Sequence, residues 1–141
     1  MSTSFSKSHR STNAPAVVLI ADDDADTRLL FRTKLEMDGY TVIEAADGEE
    51  TVKLAESAQP DLILMGVSLP RMDGFDATRR IRTAPKVGGV PIVFVSGHAE
   101  PRFVVEAREA GCDEYLVKPF DLRALGEVIK KYLGKASALA N

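Results

Sequence analysis

Cysteine is almost absent from this chain: Cys112 is the only one in 141 residues. One thiol builds no disulfide framework, so a reducing compartment is the default. The length is one domain's worth, enough to bury a core without disulfide or metal staples. No apolar run approaches the roughly 18 residues of a membrane span, so a membrane protein is not expected. An excess of positive charge is missing too. The formal net charge is −3, and the first fifteen residues hold Lys7 and Arg10 with no acid. The acidity therefore belongs to the body of the chain, which lacks the basic face that phosphate neutralisation needs. Nucleic acid is not expected as a direct partner. Internal repeats and low-complexity tracts are absent as well.

What is present has a regular order. Residues 1–15 are rich in Ser and Thr and lack the apolar segment of a secretory signal. They read as a disordered tail, with an organelle transit peptide as the alternative. Beyond them, apolar β-branched runs alternate with helical spacing. The pattern predicts strands over 16–21, 41–45, 61–66, 91–96 and 114–117, and helices over 25–37, 48–58, 74–83, 100–110 and 121–133. Leu62-Ile63-Leu64-Met65 and Ile92-Val93-Phe94-Val95 are apolar at every position, the mark of parallel strands covered on both faces. Caps and turns fall at the joints: Asp121 and Gly134 bracket the last helix, and Pro101 and Gly111 bracket the fourth. Asp38-Gly39 and Asp47-Gly48 mark further boundaries. Five βα units with right-handed crossovers give a doubly wound α/β sheet. The domain is expected over 16–134, with 135–141 a frayed tail and no output domain after it.

In such sheets ligands collect at the carboxyl ends of the strands. The first strand ends in Asp22-Asp23-Asp24, the fourth in Ser96 and the fifth in Lys118-Pro119. Adjacent carboxylates repel each other unless a cation compensates them. Carboxylates with a main-chain carbonyl and waters suit Mg²⁺. The alternative is capping of the next helix by one of these acids or by Asp26, which accounts for one acid but not three in a row. Lys118 is placed to neutralise a phosphoryl group, or is an ordinary surface lysine. Ser96 is placed to bond a phosphoryl oxygen, or opens the Ser96-Gly97 turn. Each is weak alone. Together at successive strand ends they describe a phosphoryl-transfer site, and the third strand ends in Gly66, where its nucleophile would stand.

These segments resemble the CheY-like receiver domains of two-component response regulators, over about residues 16–134. The matching residues are Asp22 and Asp23, Ser96, and Tyr115 three residues before Lys118. The loop Met65-Gly66-Val67-Ser68-Leu69-Pro70-Arg71-Met72-Asp73-Gly74 aligns without gaps to the family's phospho-acceptor loop, and the Lys118–Pro119 bond is typically cis. The resemblance implies a (βα)5 flavodoxin-like fold with strand order 2-1-3-4-5 and a cytoplasmic phosphorylation switch. An aspartate at position 66 would take a phosphoryl group from a histidine kinase, a histidine phosphotransfer protein or a small phosphodonor, assisted by Mg²⁺. Asp23 would ligate the metal, Asp22 would act mainly through water, and the Ser68 main-chain carbonyl would be a third protein ligand. Lys118 and Ser96 would hold the phosphoryl oxygens. Ser96 would then draw inward and Tyr115 turn in behind it. The face of the fourth helix, fifth strand and fifth helix would thereby change affinity for a downstream protein or a second copy. Such a domain is no enzyme beyond autocatalytic transfer onto itself.

Gly66 departs from this pattern. It has no carboxylate to form an acyl phosphate, and Mg²⁺ affinity is expected to fall with the lost ligand. Lys118, short of an ion-pair partner, is expected to lean toward Asp22 or Asp23. Asp61 stands at the far end of the same strand, about 15 Å away. Ser68 is close but would give an ordinary ester. Two readings follow: an ordinary receiver disabled at its acceptor, or a naturally degenerate receiver acting as a phosphorylation-independent interaction or dimerisation module. The surviving Asp22, Asp23, Ser96 and Lys118 favour the first, or a recent loss. A phosphohydrolase would need Asp-x-Asp-x-Thr on the first strand, but Asp26 stands where the threonine belongs. A flavin phosphate would be repelled by the acidic first loop. Phe103-Val104-Val105 cannot all face one core. Phe103 is expected inside with the valines as scattered surface residues; a clustered apolar face would instead be a docking surface. His98 reads as a solvated loop residue and Cys112 as a small buried packing residue.

Overall fold

The computed structural model describes residues 14–134. The tail expected over 1–15 therefore lies outside the described residues except for its last two, and that over 135–141 lies outside entirely. Ten elements alternate: β1 (Val17–Ala21), α1 (Ala25–Met37), β2 (Thr41–Ala45), α2 (Gly48–Ala58), β3 (Leu62–Gly66), α3 (Gly74–Thr83), β4 (Ile92–Ser96), α4 (Pro101–Ala110), β5 (Glu114–Val117) and α5 (Leu122–Leu133). The strands form one parallel sheet in the order β2-β1-β3-β4-β5. None of the described helices is long and apolar enough to cross a membrane.

The continuously apolar strands are explained by two cores, one on each face. Leu19, Ile63, Met65 and Phe94 pack with Val52, Phe75, Ile81 and Ala107 of α2, α3 and α4. Their neighbours Val18, Ile20, Leu62, Leu64, Val93 and Val95 point the other way, onto Phe31 and Leu35 of α1 and Leu125 and Ile129 of α5. Period-two alternation thus sends successive residues to opposite faces, and the central strands are buried on both.

Four helices open on an aspartate whose side chain accepts a main-chain N–H from three residues on: Asp24, Asp47, Asp73 and Asp121. The exception, α4, follows Glu100 without such a bond and begins with Pro101, whose fixed φ suits a first turn. The expected starts at 100 and 121 fall one residue early because Glu100 and Asp121 are the caps. The strands expected from 16, 61 and 91 likewise start at Val17, Leu62 and Ile92. Pro91 has no N–H for the ladder and contributes its carbonyl alone, accepting from Ile63. Asp61 spends its carboxylate on the Val17 N–H at 2.7 Å.

Candidate functional site

Register decides what meets at the carboxyl edge of the sheet. Ala21 pairs with Met65, Gly66 with Val95 and Ser96 with Val117. The strand ends are therefore level, and the residues at or just past them, Asp22, Gly66, Ser96 and Lys118, share one edge. A cleft of about 200 Å³ opens there, lined by these four with Asp23 and Ser68 among others.

The three consecutive acids do three different things. Asp24 caps α1, accepting from the Thr27 N–H at 3.1 Å and its hydroxyl at 2.6 Å. The hydroxyl bond chiefly holds its carboxyl below the usual range. Asp22 is buried. One of its oxygens accepts the Asp24 N–H at 2.9 Å, and the other lies 3.6 Å from the Lys118 ammonium. The Arg28 guanidinium holds the Asp22 main-chain carbonyl at 2.7 Å. Asp23 is exposed. Capping thus claims one acid, and Lys118 leans toward Asp22, as the missing carboxylate at position 66 led one to expect.

Gly66 has an ordinary strand conformation. A Cβ there would lie 3.2 Å from the Ala21 carbonyl oxygen, 3.6 Å from Leu69 Cδ2 and 3.7 Å from Asp22 Oδ2, so a side chain fits if the Ala21 carbonyl gives by a few tenths of an ångström. Gly74, at the other end of the loop, has none: its Cβ would overlap the Gly66 carbonyl oxygen. The Gly74 N–H bonds to the Val67 carbonyl at 2.8 Å, pulling the start of α3 tightly over the end of β3. Pro70 accepts from Met72 at 2.7 Å and from Gly48 at 3.2 Å, which ties the loop to α2.

Ser96 is buried, and its hydroxyl accepts the His98 N–H at 2.9 Å, so it closes its own turn while lining the cleft. Tyr115 is not in the cleft wall. Its ring stacks on Phe94 at 6.1 Å and its hydroxyl donates to the His98 carbonyl at 2.8 Å. The Lys118–Pro119 peptide bond is cis.

Comparison with known proteins settles the family. The response regulator receiver domain model matches residues 18–130. The chain belongs to the response regulator receiver family. It is 34% identical over 122 residues to the polar-differentiation response regulator DivK of Brucella anthropi, covering 86% of this chain and 99% of that one. It is 42% identical over 112 residues to the transcriptional regulatory protein PdtaR of Mycobacterium tuberculosis H37Rv, 79% of this chain but 53% of PdtaR. The receiver thus spans about half the length of several curated relatives. Among solved structures it resembles the receiver domain of sensor histidine kinase PA1611 from Pseudomonas aeruginosa, which carries a magnesium ion in its active-site cleft (TM-score 0.81, 32% identity, 86% and 99% covered). It also resembles Vibrio cholerae CheY4 (TM-score 0.80, 31% identity, 84% and 99% covered). Receivers are in general non-enzymatic signalling modules that bind Mg²⁺ and meet histidine kinases or phosphotransfer proteins.

Asp22, Asp23 and Ser68 line this receiver's cleft, and carboxylate and carbonyl oxygens are the donors Mg²⁺ takes. They are fewer than a closed metal cage: among the described residues no three His, Cys, Asp or Glu side chains gather as a metal group. Mg²⁺ keeps several waters, so this set can hold it, with one carboxylate fewer than an aspartate at 66 would give.

Some side chains differ from expectation. His98 is not simply solvated: it stacks on Phe103 at 4.2 Å, and Phe103 on Phe75 at 6.5 Å. Phe75 stacks on Phe94 at 5.6 Å, and Phe94 on Tyr115. The hydrogen bond from the Tyr115 hydroxyl to the His98 carbonyl closes these contacts into a loop, and His98 also lines the cleft. Phe103 is half-buried, packed against the core, while Val105 is 53% exposed. Cys112 is half-buried rather than buried, and partial burial pushes its thiol up. Arg82 had no signal in the sequence. It donates to the carbonyls of Gly88, Val90 and Gly111 and to Asp113, and joins α3 to the segments flanking β4 and β5.

Proposed function

We propose that this chain is a cytoplasmic receiver in which Gly66 occupies the phospho-acceptor position, so that it is phosphorylation-deficient as it stands. The observation that carries this reading is the placement of Gly66 at the level of Asp22, Ser96 and Lys118 in one cleft, with no carboxylate of its own. In an aspartate-bearing site Mg²⁺ would supply charge neutralisation of the incoming phosphoryl group. Asp23, Asp22 through water and the Ser68 main-chain carbonyl would hold that ion. Lys118 and Ser96 would hold the phosphoryl oxygens, and Ser96 would exchange its bond to the His98 N–H for one to phosphate. Here Lys118 is engaged with Asp22 instead, and no bond to phosphorus can form at position 66. The partners are a histidine kinase or histidine phosphotransfer protein, and a downstream protein or second copy on the α4–β5–α5 face.

A second reading, signalling by shape without phosphate, is favoured by one observation. The Tyr115 hydroxyl is bonded to the His98 carbonyl and its ring stacks on Phe94, while Val105 and Val117 lie exposed on α4 and β5. One experiment bears on both readings. With acetyl phosphate and Mg²⁺, Gly66→Asp is expected to acquire phosphate and the Gly66 chain none. Phosphate on the Gly66 chain would contradict both.

A further inference from the structure

We propose that Arg28 is the positioning residue of the acidic end of β1, and that its grip on the Asp22–Asp23 peptide sets how tightly the cleft binds a divalent cation. The inference rests on the reading of Asp22 and Asp23 as the acids that face the metal.

Three observations lead there. The first is where the guanidinium is spent. Arg28 Nη1 donates to the Asp22 main-chain carbonyl at 2.7 Å, and Nε donates to Glu44 Oε1 at 2.8 Å. A guanidinium is a rigid planar fork, so its anchor on Glu44 of β2 fixes where the other bond reaches. An ion pair that merely pinned α1 to β2 would need Glu44 alone. The second is what that bond holds. The Asp22 N–H donates to the Ala45 carbonyl at 3.1 Å, and its carboxylate is taken up by the Asp24 N–H and Lys118. Asp23 is exposed and is aimed by its main chain. A peptide unit is planar, so holding the Asp22 carbonyl holds the plane from which Asp23 departs. The third is charge. A free cation beside these acids would repel a metal ion. Here Arg28 and Arg32 share Glu44, Arg32 at 2.7 Å, and Arg32 also meets Glu36 at 3.6 Å. The two positive and two negative charges cancel, which leaves Arg28 to act by geometry.

The test is Mg²⁺ titration of the full chain, followed by amide chemical shifts, in the parent and in Arg28→Met. Affinity is expected to fall at least about tenfold, the lower end for losing a group that orients metal ligands. Loss of a positive charge alone would act the other way and tighten Mg²⁺. Equal or tighter binding by Arg28→Met would therefore overturn the proposal. Arg28→Lys keeps the charge but not the fork; it should fall as well, and it carries the test if Arg28→Met does not fold. Parent-like affinity in Arg28→Lys would also overturn the proposal. Arg82→Met, whose lost bonds lie away from the cleft, should bind Mg²⁺ like the parent. An equal fall there would reduce the effect to general stability and sink the positioning role. Gly66→Asp separates the two layers. If it binds Mg²⁺ and adding Arg28→Met changes nothing, Arg28 has no positioning role and the metal-facing acids stand. If neither the parent nor Gly66→Asp binds Mg²⁺, both fall.

Discussion

Two glycines at either end of one loop show how differently the same residue can be required. Gly74 is dictated by a close approach, since any Cβ there meets the Gly66 carbonyl. Gly66 is dictated by nothing in its surroundings. Gly74→Ala is expected to cost about 1–3 kcal/mol, the usual range for overpacking. Gly66→Ala should fall within about 1 kcal/mol of the parent, because alanine's advantage in a strand offsets one tight contact. Urea denaturation of both variants checks this, and equal losses would contradict the distinction. Arg82 is the opposite kind of residue, one side chain serving three carbonyls and a carboxylate. Arg82→Met should lower stability by about 2–3 kcal/mol through the carbonyls left short of a donor, read from the shift in urea midpoint.

At the scale of elements, most of the architecture was legible in the sequence. Leu62 to Met65 and Ile92 to Val95 are apolar at each step because both faces of the sheet are covered, and that pattern has one common cause. Capping aspartates are local, so their spacing shows. What the sequence concealed is long-range and polar. Asp113 accepts the Ile92 N–H at 2.9 Å and gives its own N–H to the Ile92 carbonyl at 2.8 Å. Asp61 does the same to Val17, and no spacing signals such a partner. The residues lining the cleft were legible because each ends or follows a strand, whereas the fate of Lys118 depended on which acid lay in reach. The join of α5 to β5 is also polar: the Tyr132 hydroxyl donates to Glu114 at 2.7 Å. That bond pushes the Tyr132 phenol from 10.0 to about 12 and holds the Glu114 carboxyl below 4.5. The raised phenol contributes stability that is complete below pH 10.0 and lost as pH rises through about 12. The depressed carboxyl contributes stability that is complete above 4.5 and lost as pH falls through its folded value. Tyr132→Phe should flatten both limbs of a stability–pH profile, by less than about 1 kcal/mol because the pair is solvent-screened. An unchanged alkaline limb would exclude Tyr132 as its source.

The described residues form one sheet with a cleft at its carboxyl edge. Two cores hold five strands level, and their common edge brings together two acids, a hydroxyl and a lysine around a position without a side chain. The aromatic contacts from Tyr115 through Phe94, Phe75 and Phe103 to His98 join β5, β4, α3 and α4, and His98 also lines the cleft. The proposal is chemical: residues that would position a phosphoryl group surround a position that lacks the atom to bond it. Intact-mass measurement of the Gly66 chain and of Gly66→Asp, after acetyl phosphate and Mg²⁺, tests it most directly. A phosphate adduct is predicted on Gly66→Asp alone, and hydroxylamine should remove it because it is an acyl phosphate. A hydroxylamine-labile adduct on the Gly66 chain, or none on Gly66→Asp, would contradict the claim.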